Sequence, residues 1–205
     1  MSKPLIGVYA VTYGHSIHQL RVFLSSLMVQ TSQNFKVLLM HDGPEGKELA
    51  ESVLKEYSDM APGQYEFYHS RERGNCFGHN LRDLAIKFCD TKFLLITNSD
   101  NYYMPMLIEI IENQVREFDP DFIMWNMCHN YGGACFGKPP YSAMDVQPYP
   151  SHIDIGSFCV RTKLAKKTGF NHRDMAADAW FVGDLRKDHP NMKLAKTSSV
   201  LLVHN

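Results

Sequence analysis

The sequence predicts an α/β fold built on a mixed, mostly parallel sheet flanked by helices, and three observations carry that prediction. Short apolar runs alternate with helix-period segments through the first half of the chain, in the order βαβαβαβα. The runs end in polar clusters, Thr12-Tyr13-Gly14, His41-Asp42-Gly43 and Asn98-Ser99-Asp100, at what should be their carboxyl ends. With 205 residues and 44% hydrophobic content the chain can bury one substantial core, and two full domains would be cramped. Right-handed crossovers would bring the three clusters to one edge of the sheet.

The first strand is expected over Leu5 to Val11. A helix follows over Ile17 to Val29, with Leu20, Phe23, Leu24, Leu27 and Met28 on one stripe. Phe35 to Met40 reads as a strand, Glu45 to Tyr57 as a helix and Tyr65 to His69 as a short strand. Gly78 to Phe88 is a helix with Leu81, Leu84, Ala85 and Phe88 inward, and Phe93 to Thr97 is the next strand. Pro105 sets the first turn of a helix reaching Phe118, with Ile108, Ile111 and Val115 inward. Asp121 to Met127 is a strand. Asn130 to Ile153, rich in proline and glycine and without a period, reads as a functional loop or a disordered segment. Beyond it the pattern gives a strand over Ile155 to Val160, helices over Lys163 to Thr168 and Ala176 to Arg186, and one or two strands within Met192 to His204.

Composition narrows the function. A formal net charge of -1 with no Lys/Arg run offers no electrostatic footprint for nucleic acid or an anionic membrane. No apolar run reaches the roughly 20 residues of a membrane-spanning helix, and Met1-Ser2-Lys3-Pro4 leads into a strand, so a cytoplasmic protein is expected. The five cysteines are odd in number and lack C-x-x-C spacing. Cys128, His129 and Cys135 supply only three loosely spaced ligands, short of a structural zinc site, and buried or incidental thiols are the better reading. His15, His18, His69, His152, His172 and His189 share no spacing that demands a site.

Five segments taken in order resemble family 2-type glycosyltransferases of the GT-A fold. They are "VTYGH", "SSLMVQTSQNFKVLLMHDG", "GHNLRDLAIKFCDTKFLLITNSDNYYMP", "DIGSFCVRTKLAKKTGF" and "AADAWFVGDL". The resemblance covers nearly the whole chain and implies one GT-A domain over residues 1–205. Its first part, 1–105, would bind a nucleotide-sugar, and 106–205 would hold the acceptor and catalytic groups, with a flexible cover over 130–153. The implied reaction moves a sugar from a nucleoside-diphosphate sugar, a UDP-sugar favoured, to an acceptor hydroxyl, with inversion. A divalent cation, Mn²⁺ or Mg²⁺, would neutralise the departing diphosphate.

The resemblance also assigns residues. Asp42 would accept from the nucleotide base, with Thr12 and Tyr13 lining the same pocket. Gly78, His79 and Asn80 would open a helix beside the nucleotide. Asn98, Ser99 and Asp100 stand where the family has Asp-X-Asp, so an amide replaces the first acid and Asp100 keeps the anionic metal ligand. His204, directly after an apolar run, is the second metal ligand implied, and a carboxylate-imidazole pair suits Mn²⁺. Asp178 is the implied general base, in Ala177-Asp178 where the family commonly reads Glu-Asp. Trp180, Asp154, Gly156 and Ser157 are implied contacts to the acceptor or the transferred sugar. Each residue also has a plainer role: turn chemistry at Asp42 and at 98–100, strand capping at Asp154, and a dipole-favoured first-turn acid at Asp178. A non-catalytic nucleotide-sugar or glycan-binding module is the alternative, supported by the acids missing at Asn98 and Ala177. A nucleotidyltransferase would want an early Gly-rich basic phosphate loop, which the sequence lacks.

Overall fold

The computed structural model describes residues 3–14, 16–130 and 139–204. The amino-terminal part follows the alternating pattern closely. It comprises β1 (Ile6–Thr12), α1 (Ile17–Met28), β2 (Phe35–His41), α2 (Lys47–Met60), β3 (Tyr65–His69), α3 (His79–Phe88) and β4 (Phe93–Asn98). After β4 come a two-residue strand β5 (Tyr102–Tyr103), α4 (Leu107–Phe118), β6 (Phe122–His129), β7 (Ser142–Met144), β8 (Phe158–Arg161), α5 (Thr162–Thr168), α6 (Ala177–Asp188) and β9 (Leu194–His204).

Among the described residues the strands form one nine-stranded sheet in the order β3-β2-β1-β4-β8-β6-β9-β5, with β7 paired to the free side of β6. β1 pairs in parallel with β2 and with β4, and β2 pairs in parallel with β3. β8 runs antiparallel to both β4 and β6, so β6, and β9 parallel to it, point the same way as β1 and β4. The carboxyl ends of six strands therefore share one edge. That is why His129 and His204, distant in sequence from Asn98, arrive at the same rim.

β1 is buried along its full length and β4 over all but its last residue, as expected for strands covered by helices on both faces. Leu20, Phe23, Leu24 and Leu27 of α1 are buried in the core as the stripe predicts. α1 starts with a capping box in which Ser16 Oγ accepts from Gln19 N at 3.2 Å and Gln19 Oε1 accepts from Ser16 N at 3.1 Å. Buried Gln30 then braces the far end: its Nε2 donates to Ser26 O and Met104 O, both at 2.9 Å, and its Oε1 accepts from Ile108 N at 3.1 Å.

Four expectations change. The inward face of α3 consists of His79, Leu81, Arg82, Ala85 and Ile86, with Leu84 only half-buried and Phe88 exposed. The segment before β8 is a 3₁₀ turn, Ile155–Ser157, because Asp154 Oδ1 accepts from Gly156 N at 2.8 Å and bends the chain before the strand can begin. β5 is too short to give a period, and its place is set by pairing with β9. Within the segment expected to be irregular, β7 pairs with β6 from Ser142 to Met144, whereas 131–138 lie outside the described residues.

Candidate active site

A cavity of about 660 Å³ opens at the carboxyl ends of β1, β2, β4 and β9. Of the residues singled out from the sequence, Tyr13, Asp42, Gly78, His79, Asn98, Asp178 and His204 line it. Thr12 is buried at the end of β1, where its carbonyl accepts from Asp42 N at 3.0 Å, and Asn80 is exposed on the first turn of α3. Ser99 is buried and Asp100 half-buried in the turn after β4, which is tied to β1 by Ser99 N donating to Val11 O at 3.0 Å. Trp180 is exposed beside His172, with ring centroids 6.0 Å apart, and neither it nor the 154–157 turn lines the cavity.

One wall is a strained turn held by Asp42. Its Oδ1 accepts from Gly74 N at 2.7 Å and its Oδ2 from Asn75 N at 2.9 Å. Asn75, Cys76 and Phe77, all with φ near +50°, precede Gly78 at φ +74°. Non-glycine residues pay for this region by a clash at Cβ, so three in succession persist only under outside constraint. Gly78 is required twice over, since a Cβ there would also stand 2.5 Å from Val11 Cγ1. Across the mouth, the Arg73 guanidinium carbon lies 3.3 Å from the centroid of the Tyr13 ring, a cation–π contact that covers one aromatic face.

The opposite wall is a buried polar network around Arg82, which is only 4% exposed. Its Nη1 donates to Asp178 Oδ1 at 2.8 Å and to His79 Nδ1 at 3.1 Å, and its Nη2 donates to Asn98 Oδ1 at 2.9 Å. His79 Nδ1 is thus an acceptor, leaving Nε2–H to donate to Asp174 O at 2.9 Å. Burial and then the nearby Arg82 charge push the His79 pKa down to about 4, so the ring is neutral at pH 7. Asp178 Oδ2 accepts from Ile155 N at 3.2 Å. Burial raises the Asp178 carboxyl to about 6 against the opposing pull of Arg82, with Asp154 adding to the rise.

The third side is formed by His204. His204 Nε2 stands 3.5 Å from Asp154 Oδ2, and the His129 and His204 rings stack at 4.4 Å with a 16° tilt. Burial, followed by the His204 charge, lowers the pKa of His129. The turn carrying Asp154 is itself fastened below. Tyr103 Oη–H is shared between Thr97 Oγ1 at 2.7 Å and Gly156 O at 3.0 Å, and a Cβ on Gly156 would come within 2.9 Å of that oxygen. Ser157 Oγ donates to Asp154 O at 2.6 Å, so Gly156 and Ser157 shape the turn.

His204 therefore meets a carboxylate, and the one at hand is Asp154. Among the described residues no three His, Cys, Asp or Glu side chains are grouped to hold a metal ion. A divalent cation bound chiefly through substrate phosphates needs only one or two protein ligands, so this donor set fits such an ion. Cys76, Cys89, Cys128 and Cys159 are free thiols, and Cys128 donates to Tyr141 O at 2.9 Å.

Sequence reasoning missed Arg82, Arg73 and His129. Arg82 had a readable signal, a cation among Leu81, Ala85 and Ile86 on the inward face of a helix, where an unpaired charge is not tolerated. His129 enters the sequence reading only beside Cys128 and Cys135 as a discounted zinc ligand, and Arg73 offers no signal, because their places depend on where β6 and the loop end.

Known proteins share this fold. The model of the family described as "Glycosyl transferase family 2" matches residues 8–172. An uncharacterised glycosyltransferase of Methanocaldococcus jannaschii is 24% identical over 182 residues, covering 84% of this chain and 61% of its own length. TarS of S. aureus superposes with a TM-score of 0.75 at 18% identity, over 98% of this chain and 60% of that one. A mannosyltransferase from Pyrobaculum calidifontis, in complex with GDP-Man and Mn²⁺, superposes with a TM-score of 0.68 at 12% identity, over 99% of this chain and 57% of its own. The chain thus spans about three-fifths of the length of these relatives, and no helix among the described residues is long and apolar enough to cross a membrane. With its alternating order, the strand-end cavity and a family match over 165 residues from 8 to 172, this chain belongs to glycosyl transferase family 2.

Proposed function

We propose that this chain is one GT-A catalytic domain that transfers a sugar from a nucleoside-diphosphate sugar, a UDP-sugar favoured, to an acceptor hydroxyl with inversion. The observation that carries the reading is Asp178, a half-buried carboxyl on the wall of the strand-end cavity, ion-paired to Arg82 at 2.8 Å, whose pKa raised to about 6 leaves it ionised yet basic at neutral pH. In this reading Asp178 takes the proton of the acceptor hydroxyl while that oxygen bonds to the anomeric carbon. The bond from that carbon to the diphosphate breaks on the opposite face.

Tyr13 and the turn 74–78, held by Asp42, would border the base and ribose, and Thr12, Ser99 and Asn80 support that border. His204 with the neighbouring Asp154, joined by Asp100 from the turn after β4, would hold Mn²⁺ or Mg²⁺, whose chemistry is to neutralise the leaving diphosphate. Trp180 would face the acceptor from the exposed side of α6, while buried Gly156 and Ser157 would serve only by shaping the turn that carries Asp154. The donors of similarly folded proteins, UDP-GlcNAc for TarS and GDP-Man for the Pyrobaculum enzyme, support a nucleoside-diphosphate sugar without selecting its base.

The binding-module reading draws on Asn98 and Ala177. Ala177 is fully buried, so a carboxylate there would need desolvation, and its absence has a packing reason independent of activity. The test is release of nucleoside diphosphate from UDP- and GDP-sugars, with and without Mn²⁺ and with candidate acceptors. Turnover that depends on Mn²⁺ is expected. Tight donor binding without turnover of any donor would establish the binding module instead.

A further inference from the structure

Arg82 is the buried cation of the cavity wall, and it has more to hold than a structural arginine needs. One guanidinium reaches three elements: its own helix through His79, the end of β4 through Asn98, and the start of α6 through Asp178. His79 is set in turn by the rings of Phe77 and Phe170, at 5.7 and 5.4 Å, and by its bond to Asp174 O. Neutral His79 thus accepts from Arg82 and draws no charge from it.

Asn98 completes the logic. Its Oδ1 occupies Nη2 without carrying charge, so among the described residues Asp178 is the one carboxylate paired with Arg82. A carboxylate at position 98 would place a second anion on the same guanidinium and weaken its hold on Asp178. The charged and titratable groups facing Asp178 are Arg82 from α3, Asp154 from the turn before β8 and His204 from β9, joined by the Ile155 N–H. Of these, Arg82 is the one side chain in direct ion-pair contact with Asp178 among the described residues.

We infer that Arg82 is the positioning residue of the candidate base, clamping Asp178 against the end of β4, and that the amide at Asn98 exists to share that clamp. Each Asp178 oxygen then has one fixed donor from a different element, Arg82 on Oδ1 and the Ile155 amide on Oδ2. The carboxylate plane is set before an acceptor arrives, and such prealignment is worth roughly a hundredfold in rate when it is lost. This inference rests on the reading of Asp178 as the base.

The experiment pairs Arg82→Gln with Arg82→Lys and takes two measurements. The first is the carboxyl ¹³C titration of Asp178, assigned by its loss in Asp178→Asn, which needs no substrate. Removing the opposing charge in Arg82→Gln is expected to move the midpoint upward by about one pH unit or more. Arg82→Lys, which keeps the charge, is expected to hold the midpoint near wild type. The second is steady-state transfer at pH 7. Both variants are expected to lose kcat by roughly a hundredfold with donor KM little changed, because neither a glutamine nor a lysine can hold His79, Asn98 and Asp178 together as the guanidinium fork does. A folded Arg82→Gln protein in which Asp178 titrates as in wild type overturns the inference, and so does Arg82→Lys with full kcat. If Arg82→Gln does not fold, Arg82→Lys decides through kcat. If the wild type transfers no sugar at all, the transferase reading fails, and the carboxyl titration still decides whether Arg82 governs Asp178.

Discussion

Two aspartates line one cavity, buried Asp42 and half-buried Asp178, and their surroundings give them different work. Asp42 accepts from two adjacent backbone N–H groups, Gly74 and Asn75, and lies among neutral donors. Asp178 accepts from one backbone N–H and one guanidinium, and burial with a neighbouring carboxylate raises it to about 6. The first carboxylate is spent on shaping the chain. The second is held in place but kept basic. Side-chain identity alone does not separate them; the donors supplied by neighbouring elements do.

The sharpest way to break this contrast is Asp178→Asn. An amide can keep a bond to Arg82 but cannot take a proton. Transfer is therefore expected to fall by roughly 10²–10⁴-fold, the usual worth of a positioned base, with donor affinity nearly unchanged. Initial rates and calorimetric donor titration check both halves. A variant with normal transfer would remove Asp178 from the mechanism and make the two aspartates alike.

Acidity sharpens the same contrast. Because Asp178 titrates at about 6, kcat is expected to decline by about tenfold per unit as pH drops below that value. Stability runs the other way. The folded value lies above the ordinary 3.8, so the protonated form is favoured by folding. Its contribution is complete below about pH 4 and is lost as pH rises through about 6. Urea midpoints of wild type and Asp178→Asn, compared at pH 4 and pH 7, should show the wild type losing ground to the variant at the higher pH.

Asp42→Ala probes the other wall. It strips acceptors from two N–H groups and frees a turn that its own backbone preferences oppose. A loss of about 2 kcal/mol is expected, with water reaching the exposed loop to soften it. Amide exchange at Gly74 and Asn75 should quicken, and nucleoside-diphosphate affinity should fall. Unchanged exchange would mean that the turn is held by something other than Asp42.

The two walls also differ in how far the sequence reveals them. β1, β2, β3 and β4 lie within a residue or two of their predicted bounds: β1, β2 and β4 are largely buried parallel strands carrying apolar runs, and β3 is a short edge strand paired to β2. β5 and β7 are short strands that owe their existence to partners brought by the rest of the fold, and no local period announces them. The site divides similarly. Asp42 and Asp178 stand out as acids after an apolar run and at a helix start. Asp154, by contrast, meets His204 only through the bend of the 155–157 turn, and Arg82 acquires its role only when α3, β4 and α6 converge.

The smallest effect expected is a gain, and it comes from the Asp42 wall. Phe77 is 64% exposed with φ +55° and ψ +21°, the left-handed region, so its side chain contributes little burial while its backbone carries strain. Phe77→Gly removes a clash worth about 1–2 kcal/mol and costs about 0.5–1 kcal/mol in unfolded-chain entropy, together with the ring contact to His79. A net stabilisation of about 0.5 kcal/mol is expected by urea unfolding. Donor affinity should weaken in the same variant if the turn serves as a preformed border for the nucleotide, because glycine lets it relax. Stability and affinity moving in opposite directions would identify strain retained for binding; a variant that gains stability and binds as before would reduce the turn to a consequence of how Asp42 packs.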